Sequence, residues 1–248
     1  MIDYSLLDSL GISLDALARE RLDAFHCLLI EYNRKMDLTN VPEAEMTLRH
    51  YADSLMPLRH GLVPVDGLAI DVGSGAGFPG LPLAVARPGL QVTLLESKGK
   101  RCDFLKEAVK MLGLPNVRVL PGRAEDMAVP PERERYDLAF ARAVAPLNVL
   151  AEYLLPFLRV GGLAMCWKGP AVQEELAAGR AASHLLGGEL GESRDIGIPG
   201  RSSLIQLIHK HNPTAEKYPR KAGTPEKSPL GIKNSERRTS PGQPRQPG

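Results

Sequence analysis

Cysteine is scarce in this 248-residue chain. Only Cys27, Cys102 and Cys166 occur, an odd number, and no two form a C-x-x-C pair. That usage speaks against a disulfide framework and against zinc, and it fits a reducing cytoplasm. His26, His50 and His60 have no second ligand at zinc spacing, so they read as structural or solvent-facing and no metal is expected. No stretch approaches the roughly 18 consecutive apolar residues of a membrane span. The start, Met1-Ile2-Asp3-Tyr4-Ser5, lacks the basic and apolar regions of a signal peptide. There is also no internal repeat. A chain that is 43% hydrophobic and 24% charged is an ordinary globular protein, long enough for one sizeable α/β domain with extensions.

The net charge is small, +2, but uneven. His209 to Gly248 holds nine Lys or Arg against three acids, an excess of six, so the rest of the chain is acidic by four. A basic tail on an acidic body points to a polyanionic partner at the C-terminal end. Charge alone fits a solvated tail equally well.

The first third has helical texture. Leu14, Leu17, Ala18, Leu22, Phe25, Leu29 and Tyr32 recur at helical spacing, with Ser13 available as N-cap. A second helix is expected over Glu43 to about Leu58. Apolar runs then begin at Leu68–Val72 and recur at Val92–Glu96, Val117–Leu120, Tyr136–Ala141, Leu163–Trp167 and Leu204–Ile208. Leu190–Ile196 is a candidate further strand. Helical stretches lie between them at Leu81–Ala86, Lys98–Leu112, Pro146–Leu158 and Pro170–Leu186. Gly113 closes the second of these as a C′ glycine. Strand and helix alternating at this rhythm imply a doubly wound α/β fold with a mostly parallel sheet. The expected organisation is a helical region over 1–63, an α/β domain over 64–211, a basic Pro-rich arm over 212–230 and a disordered tail over 231–248.

Asp71-Val72-Gly73-Ser74-Gly75-Ala76-Gly77 falls where the first strand turns into a helix. Glycines there permit positive φ and a close ligand approach. The dinucleotide fingerprint needs Gly or Ala three residues after its second glycine, where this chain has Phe78. The G-x-G-x-G spacing behind an acid resembles instead the first motif of S-adenosylmethionine methyltransferases. Glu96, closing the second strand, is placed to accept hydrogen bonds from both ribose hydroxyls. A nicotinamide-dependent oxidoreductase remains the competing enzyme class, and a ribosome-binding protein without turnover the competing non-enzyme.

Other strand ends add candidates. Arg123-Ala124-Glu125 follows the third strand, near where adenine would lie; a surface ion pair between Arg123 and Glu125 is the bland reading. Arg142 ends the fourth strand and Lys168 the fifth. The Asn/Asp-Pro-Pro-aromatic motif of amino-directed enzymes is missing after the fourth strand. No cysteine stands there for cytosine C5 chemistry, and Cys166 reads as core. Guanine N7 has a free lone pair, so its methylation needs alignment more than a base. Arg142 and Lys168 are the candidate donors to guanine O6, although a solvated lysine is an equal reading for Lys168.

Several segments resemble the RsmG (GidB) family of bacterial 16S ribosomal RNA guanine-N7 methyltransferases. They are Tyr32 to Asn40, Arg49-His50 with Asp53-Ser54-Leu55, Asp71 through Gly80 with its Gly-Phe-Pro-Gly end, Leu94 to Ser97, Lys100-Arg101, Arg142-Ala143-Val144, and Lys217 through Pro225. The resemblance runs from about Tyr32 to Leu230; beyond it nothing matches. It implies S-adenosylmethionine contacts at Gly73, Phe78, Glu96, Ala124, Glu125 and Arg142, to which the loop reading adds Gly75 and Gly77. It implies as substrate a guanine near the decoding centre, in free 16S RNA or in the small subunit. Lys100, Arg101, Lys217, Arg220, Lys221 and Lys227 are the candidate RNA contacts, the arm being stiffened by Pro219, Pro225 and Pro229. A cytoplasmic monomer is expected, and a methyltransferase acting on another base is the nearest alternative.

Overall fold

The computed structural model describes residues 1–142 and 145–232. Ala143 and Val144, and the 233–248 part of the expected tail, lie outside the described residues. The chain opens with helices α1 (Tyr4–Ser9) and α2 (Ala16–Met36). Asp15, not Ser13, caps α2: its carboxylate accepts from the Ala18 amide at 2.7 Å. The buried stripe of α2 is Ala18, Leu22, Phe25 and Leu29, while Leu17 is exposed. Each of Leu22, Phe25 and Leu29 is fully covered, a gain of about 1.5–3 kcal/mol apiece. The segment expected as one helix over Glu43 to Leu58 is broken into a tight turn at Glu43–Glu45, a wide π-helical turn at Thr47–Ala52, and α3 (Asp53–Arg59). The π turn carries Arg49 and His50, and such turns often sit at functional sites.

The sheet follows. In chain order come β1 (Asp66–Val72), α4 (Gly80–Ala86), β2 (Gly89–Glu96), α5 (Gly99–Met111), β3 (Val117–Pro121), α6 (Ala124–Met127), β4 (Tyr136–Arg142), α7 (Leu147–Leu154), β5 (Leu158–Lys168), α8 (Val172–Leu185), β6 (Gly188–Asp195), β7 (Leu204–Lys210) and a short α9 (Thr224–Lys227). Their order across the seven-stranded sheet is β3-β2-β1-β4-β5-β7-β6. The strands from β3 to β5 are parallel, and β7 runs antiparallel between β5 and β6. Apolar runs cover both faces of the parallel strands because helices pack on each side. The strand expected at Leu190–Ile196 is the edge strand β6, and β5 starts earlier than the apolar run alone implies. Cys166 is fully buried in β5, as expected of core.

The sequence reverses direction across the sheet between β1 and β4, the switch point at which such sheets open a crevice. Pairing between these two strands stops at Asp71 opposite Phe140, so their carboxyl ends part there. Asp71 and Arg142 stand at that gap.

The basic arm is packed on the body. Arg133 donates to the carbonyls of Thr214 and Tyr218, both at 2.7 Å. Arg220 lies against Glu152, which is fully buried in α7. Asn148 donates to the Leu230 carbonyl at 2.7 Å.

Candidate active site

The loop after β1 curls back onto β2. The amides of Gly73 and Ser74 donate to the Leu95 carbonyl at 2.8 and 3.1 Å, and the Ser74 hydroxyl donates to the Asp71 carbonyl. Gly73 and Gly75 adopt φ of 75° and 58°, the left-handed region that favours glycine. Gly80 has a different reason. A Cβ there would lie 2.5 Å from Leu94 Cδ2 and 2.7 Å from Asp71 Oδ2. Gly80→Ala is therefore expected to destabilise the protein by at least about 1 kcal/mol through overpacking, measurable by denaturant unfolding. Asp71 accepts from the Gly80 amide at 2.9 Å, and complete burial pushes its carboxyl up to about 7.

Glu96 closes β2 with its carboxylate held at both ends. Oε2 accepts from the Gly75 amide at 2.9 Å and Oε1 from the Lys98 amide at 2.8 Å. Each oxygen keeps a further lone pair. Glu96, Gly73, Gly75, Phe78, Ser97, Arg101, His50 and Arg142 line a cavity of about 580 Å³, within the usual range for a small-molecule site. A smaller slot of about 110 Å³ opens beside it, lined by Val72, Leu95, Gly122, Ala124, Glu125 and Tyr153. A third cavity, of about 530 Å³, is walled by Arg49, Asp53, Trp167, Lys168 and Arg201, with His50 and Arg142 again.

His50 and Arg142 thus belong to two cavities at once, and they are fixed by a chain of hydrogen bonds. The Asn33 side chain bridges the amide and carbonyl of Thr39 at 2.8 and 2.9 Å. The Thr39 hydroxyl sits 2.7 Å from His50 Nε2. Arg142 Nη2 lies 2.9 Å from His50 Nδ1, while Nη1 donates to Asp53 at 3.1 Å and to the Arg49 carbonyl at 3.2 Å. Arg142 cannot accept, so the shorter contact has Nδ1 accept and Nε2–H donate to Thr39; the Arg49 carbonyl, 3.2 Å from Nδ1, takes its hydrogen from Arg142 Nη1 instead. The His50 ring stacks on Phe78 at 4.5 Å, and the Arg142 guanidinium lies 5.2 Å from the same ring. Phe78 is buried against Phe25 and Tyr51, so its side chain ties the helical region to the glycine loop. Burial pushes the Asp53 carboxyl up, against the pull of Arg142.

Burial, reinforced by Arg142, holds the His50 imidazolium down to about 3. Unfolded, the ring takes a proton below about pH 6.5. Between those values the unfolded state binds more protons, so this group's contribution to stability falls as pH falls. From pH 7 to pH 5 the wild type should lose roughly 2 kcal/mol relative to His50→Gln. Urea titrations of both proteins at the two pH values measure the difference; parallel curves would contradict it.

Not every expected residue has the expected surroundings. Lys168 is not a free donor: its ammonium lies 2.6 Å from Glu175 and 2.8 Å from the Ala145 carbonyl, and so anchors the chain entering α7. Arg142 has three acceptors, which leaves two of its five N–H groups. Glu125 is not aimed at a base edge. Its Oε1 accepts from the Gly223 amide of the arm at 2.8 Å, and Oε2 faces Arg123 at 3.8 Å. Arg101, expected at RNA phosphate, lines the largest cavity. Arg220, also expected at RNA, is committed to Glu152. Lys100, Lys217, Lys221 and Lys227 are exposed. Sequence reasoning gave no site role to Thr39, Tyr153, Arg201 or Glu226. Of these only Thr39 lay in a segment with a signal, Tyr32 to Asn40, through the family resemblance, which also covered Arg49-His50 and Asp53.

Among the described residues no cluster of three or more His, Cys, Asp or Glu side chains could hold a metal ion, and no helix is long and apolar enough to cross a membrane.

A parallel sheet split at β1 and β4, an antiparallel β7 inserted between β5 and β6, a G-x-G-x-G loop after β1 and an acid closing β2 together make the architecture of the S-adenosylmethionine-dependent methyltransferases. Solved structures share the fold. A variant of MtNAS in complex with S-adenosylmethionine superposes with a TM-score of 0.54 at 15% identity, covering 85% of this chain and 80% of that one. The cyclase SpnF gives 0.51 at 16% identity, covering 66% and 81%. At such identities the likeness establishes fold alone. The family is set by sequence: residues 18–197 match GidB, rRNA small subunit methyltransferase G, and the chain belongs to that family. Ribosomal RNA small subunit methyltransferase G of Alkaliphilus metalliredigens is 44% identical over 225 residues, 89% of this chain and 94% of its relative. The protein of the same name from Symbiobacterium thermophilum is 46% identical over 234 residues, covering 90% and 95%. The nicotinamide alternative is thereby set aside.

Proposed function

We propose that this chain methylates N7 of a guanine in 16S ribosomal RNA near the decoding centre, acting in the cytoplasm on free RNA or on the small subunit. The observation that carries the reading is the pair of cavities meeting at His50 and Arg142. One is built for a nucleoside and an amino acid, the other for a base on a polyanion.

The first cavity fits S-adenosylmethionine by its donor set. Glu96 would accept from the ribose hydroxyls, the loop at Gly73, Gly75 and Gly77 would admit the amino-acid part, and the slot at Ala124 would take adenine. When bound, the cofactor supplies a methyl group made electrophilic by its sulfonium. The second cavity is lined by Arg49, Arg142, Lys168 and Arg201; the first three are paired with Glu45, Asp53 and Glu175, and Arg201 adds a further positive charge, a cationic lining that suits RNA. Guanine N7 attacks with its own lone pair, so no side chain need remove a proton. The task left to the protein is alignment. The two free N–H groups of Arg142 are the donors for guanine O6. Neutral His50 holds Arg142 in place and adds no second charge beside a base that becomes cationic. Lys168 acts through the chain it anchors, as a positioning residue. Lys100, Lys217, Lys221 and Lys227 contact phosphates.

The test uses purified protein, labelled S-adenosylmethionine, and 16S RNA or small subunits from a strain lacking the modification. Label should appear at a site cleaved by borohydride and aniline, the signature of 7-methylguanine. Label on adenine or cytosine would overturn the base assignment and leave the cofactor assignment intact.

A further inference from the structure

The arm contributes more than positive charge. Glu226, in α9, stands in the wall of both the adenine slot and the large cavity. Its Oε1 accepts from the Tyr153 hydroxyl at 3.1 Å, while Oε2 has no partner among the described residues. Burial and the nearby carboxylates of Glu125 and Glu226 keep the Tyr153 phenol protonated, so its single hydrogen stays on Glu226. The acid that precedes it in the slot, Glu125, is already tied to Gly223. The arm therefore occupies one slot acid and supplies another. Its placement does not depend on Glu226, because Arg133, Glu152, Glu125 and Asn148 hold it at separate points.

We propose that Glu226 is a cofactor-binding residue: its free carboxylate oxygen accepts a hydrogen bond from the 6-amino group of the adenine, and the arm forms the outer wall of the adenine slot. This rests on the reading of the slot given under Proposed function. The chemistry selects the partner. The adenine edge offers one amino donor, and of the two acids in the slot Glu125 is buried, with one oxygen on Gly223 and the other facing Arg123, whereas Glu226 is exposed with one oxygen unpartnered. The same arm exposes Lys217, Lys221 and Lys227, so on this reading one segment carries both the cofactor contact and the candidate RNA contacts.

The test is calorimetric binding of S-adenosylhomocysteine and of its purine analogue without the 6-amino group, to wild type, Glu226→Ala and Glu96→Ala. Wild type should bind the analogue about 5- to 30-fold more weakly than the parent compound. Glu226→Ala should bind the parent more weakly by a similar factor and make no distinction between the two. Its unfolding temperature without ligand should match wild type, since Glu226 is exposed. The inference is overturned if Glu226→Ala binds the parent as wild type does, or still discriminates against the analogue by the full wild-type factor. Glu96→Ala keeps the two levels apart. Weakened binding there with normal binding in Glu226→Ala sinks the inference alone, whereas normal binding in Glu96→Ala sinks the slot reading beneath it.

Discussion

Arg220→Ala is expected to lower global stability by about 3–5 kcal/mol, the cost of leaving a buried charge without its partner. Glu152 is fully buried. Its carboxylate accepts from the Arg220 amide at 2.8 Å, from Nε at 2.9 Å and from Nη2 at 2.6 Å. The guanidinium also donates to the Ser228 carbonyl at 2.9 Å, so one side chain fixes two turns of the arm. Truncation leaves Glu152 only the amide. Against a total stability of about 5–15 kcal/mol the loss is large. If the arm undocks locally to hydrate Glu152, the deficit will be smaller, and the amides of residues 214–230 will exchange rapidly instead. Chemical denaturation together with hydrogen exchange reads both forms of the loss. A variant with an unchanged midpoint and unchanged exchange, but a shallower salt dependence of RNA binding, would return Arg220 to the surface role its charge implies. Replacing both partners by apolar residues should recover much of the stability.

Glu96→Ala is expected to weaken cofactor binding by about 2–3 kcal/mol, or about 30- to 150-fold, because on the reading proposed above it removes the two charge-assisted hydrogen bonds to ribose in a buried site. Truncation also removes the acceptors of the Gly75 and Lys98 amides, so the loop loses its tie to β2. Glu96→Gln retains one acceptor oxygen and should fall between the two. Calorimetry with S-adenosylhomocysteine gives the constants directly. An Ala variant with wild-type affinity would mean that the sugar is held elsewhere.

The parallel strands were legible because most are short apolar runs, several closed by glycine or an acid, the pattern that burial on both faces imposes. Asp71, Glu96 and Arg142 could be placed from that pattern, since each stands at or one residue before the end of such a run. What these groups touch could not be placed. Arg220 and its partner Glu152 are 68 residues apart, and nothing in the composition of a Pro-rich basic segment shows which of its cations turns inward. Arg220 was read with the phosphate contacts for that reason, and Lys168 as a free donor because Glu175 lies on the following helix. Ser13 and Asp15 are both competent caps, and the choice fell on the acid where helical φ and ψ begin. The start of β5 was hidden by Gly161-Gly162, which interrupt its apolar run. Glu226 had no signal at all, because α9 has a single turn and no apolar period.

The arm follows every strand of the sheet in the chain, and this orders events during biosynthesis. β1 to β5 can leave the ribosome and pair before residue 226 has been made, since chains fold from the N-terminal side as they emerge. A nascent protein would thus hold Glu96 and the glycine loop while the wall that Glu226 supplies was still missing. On the reading proposed above, the pocket for the methyl donor would be closed only when residues 214–230 dock.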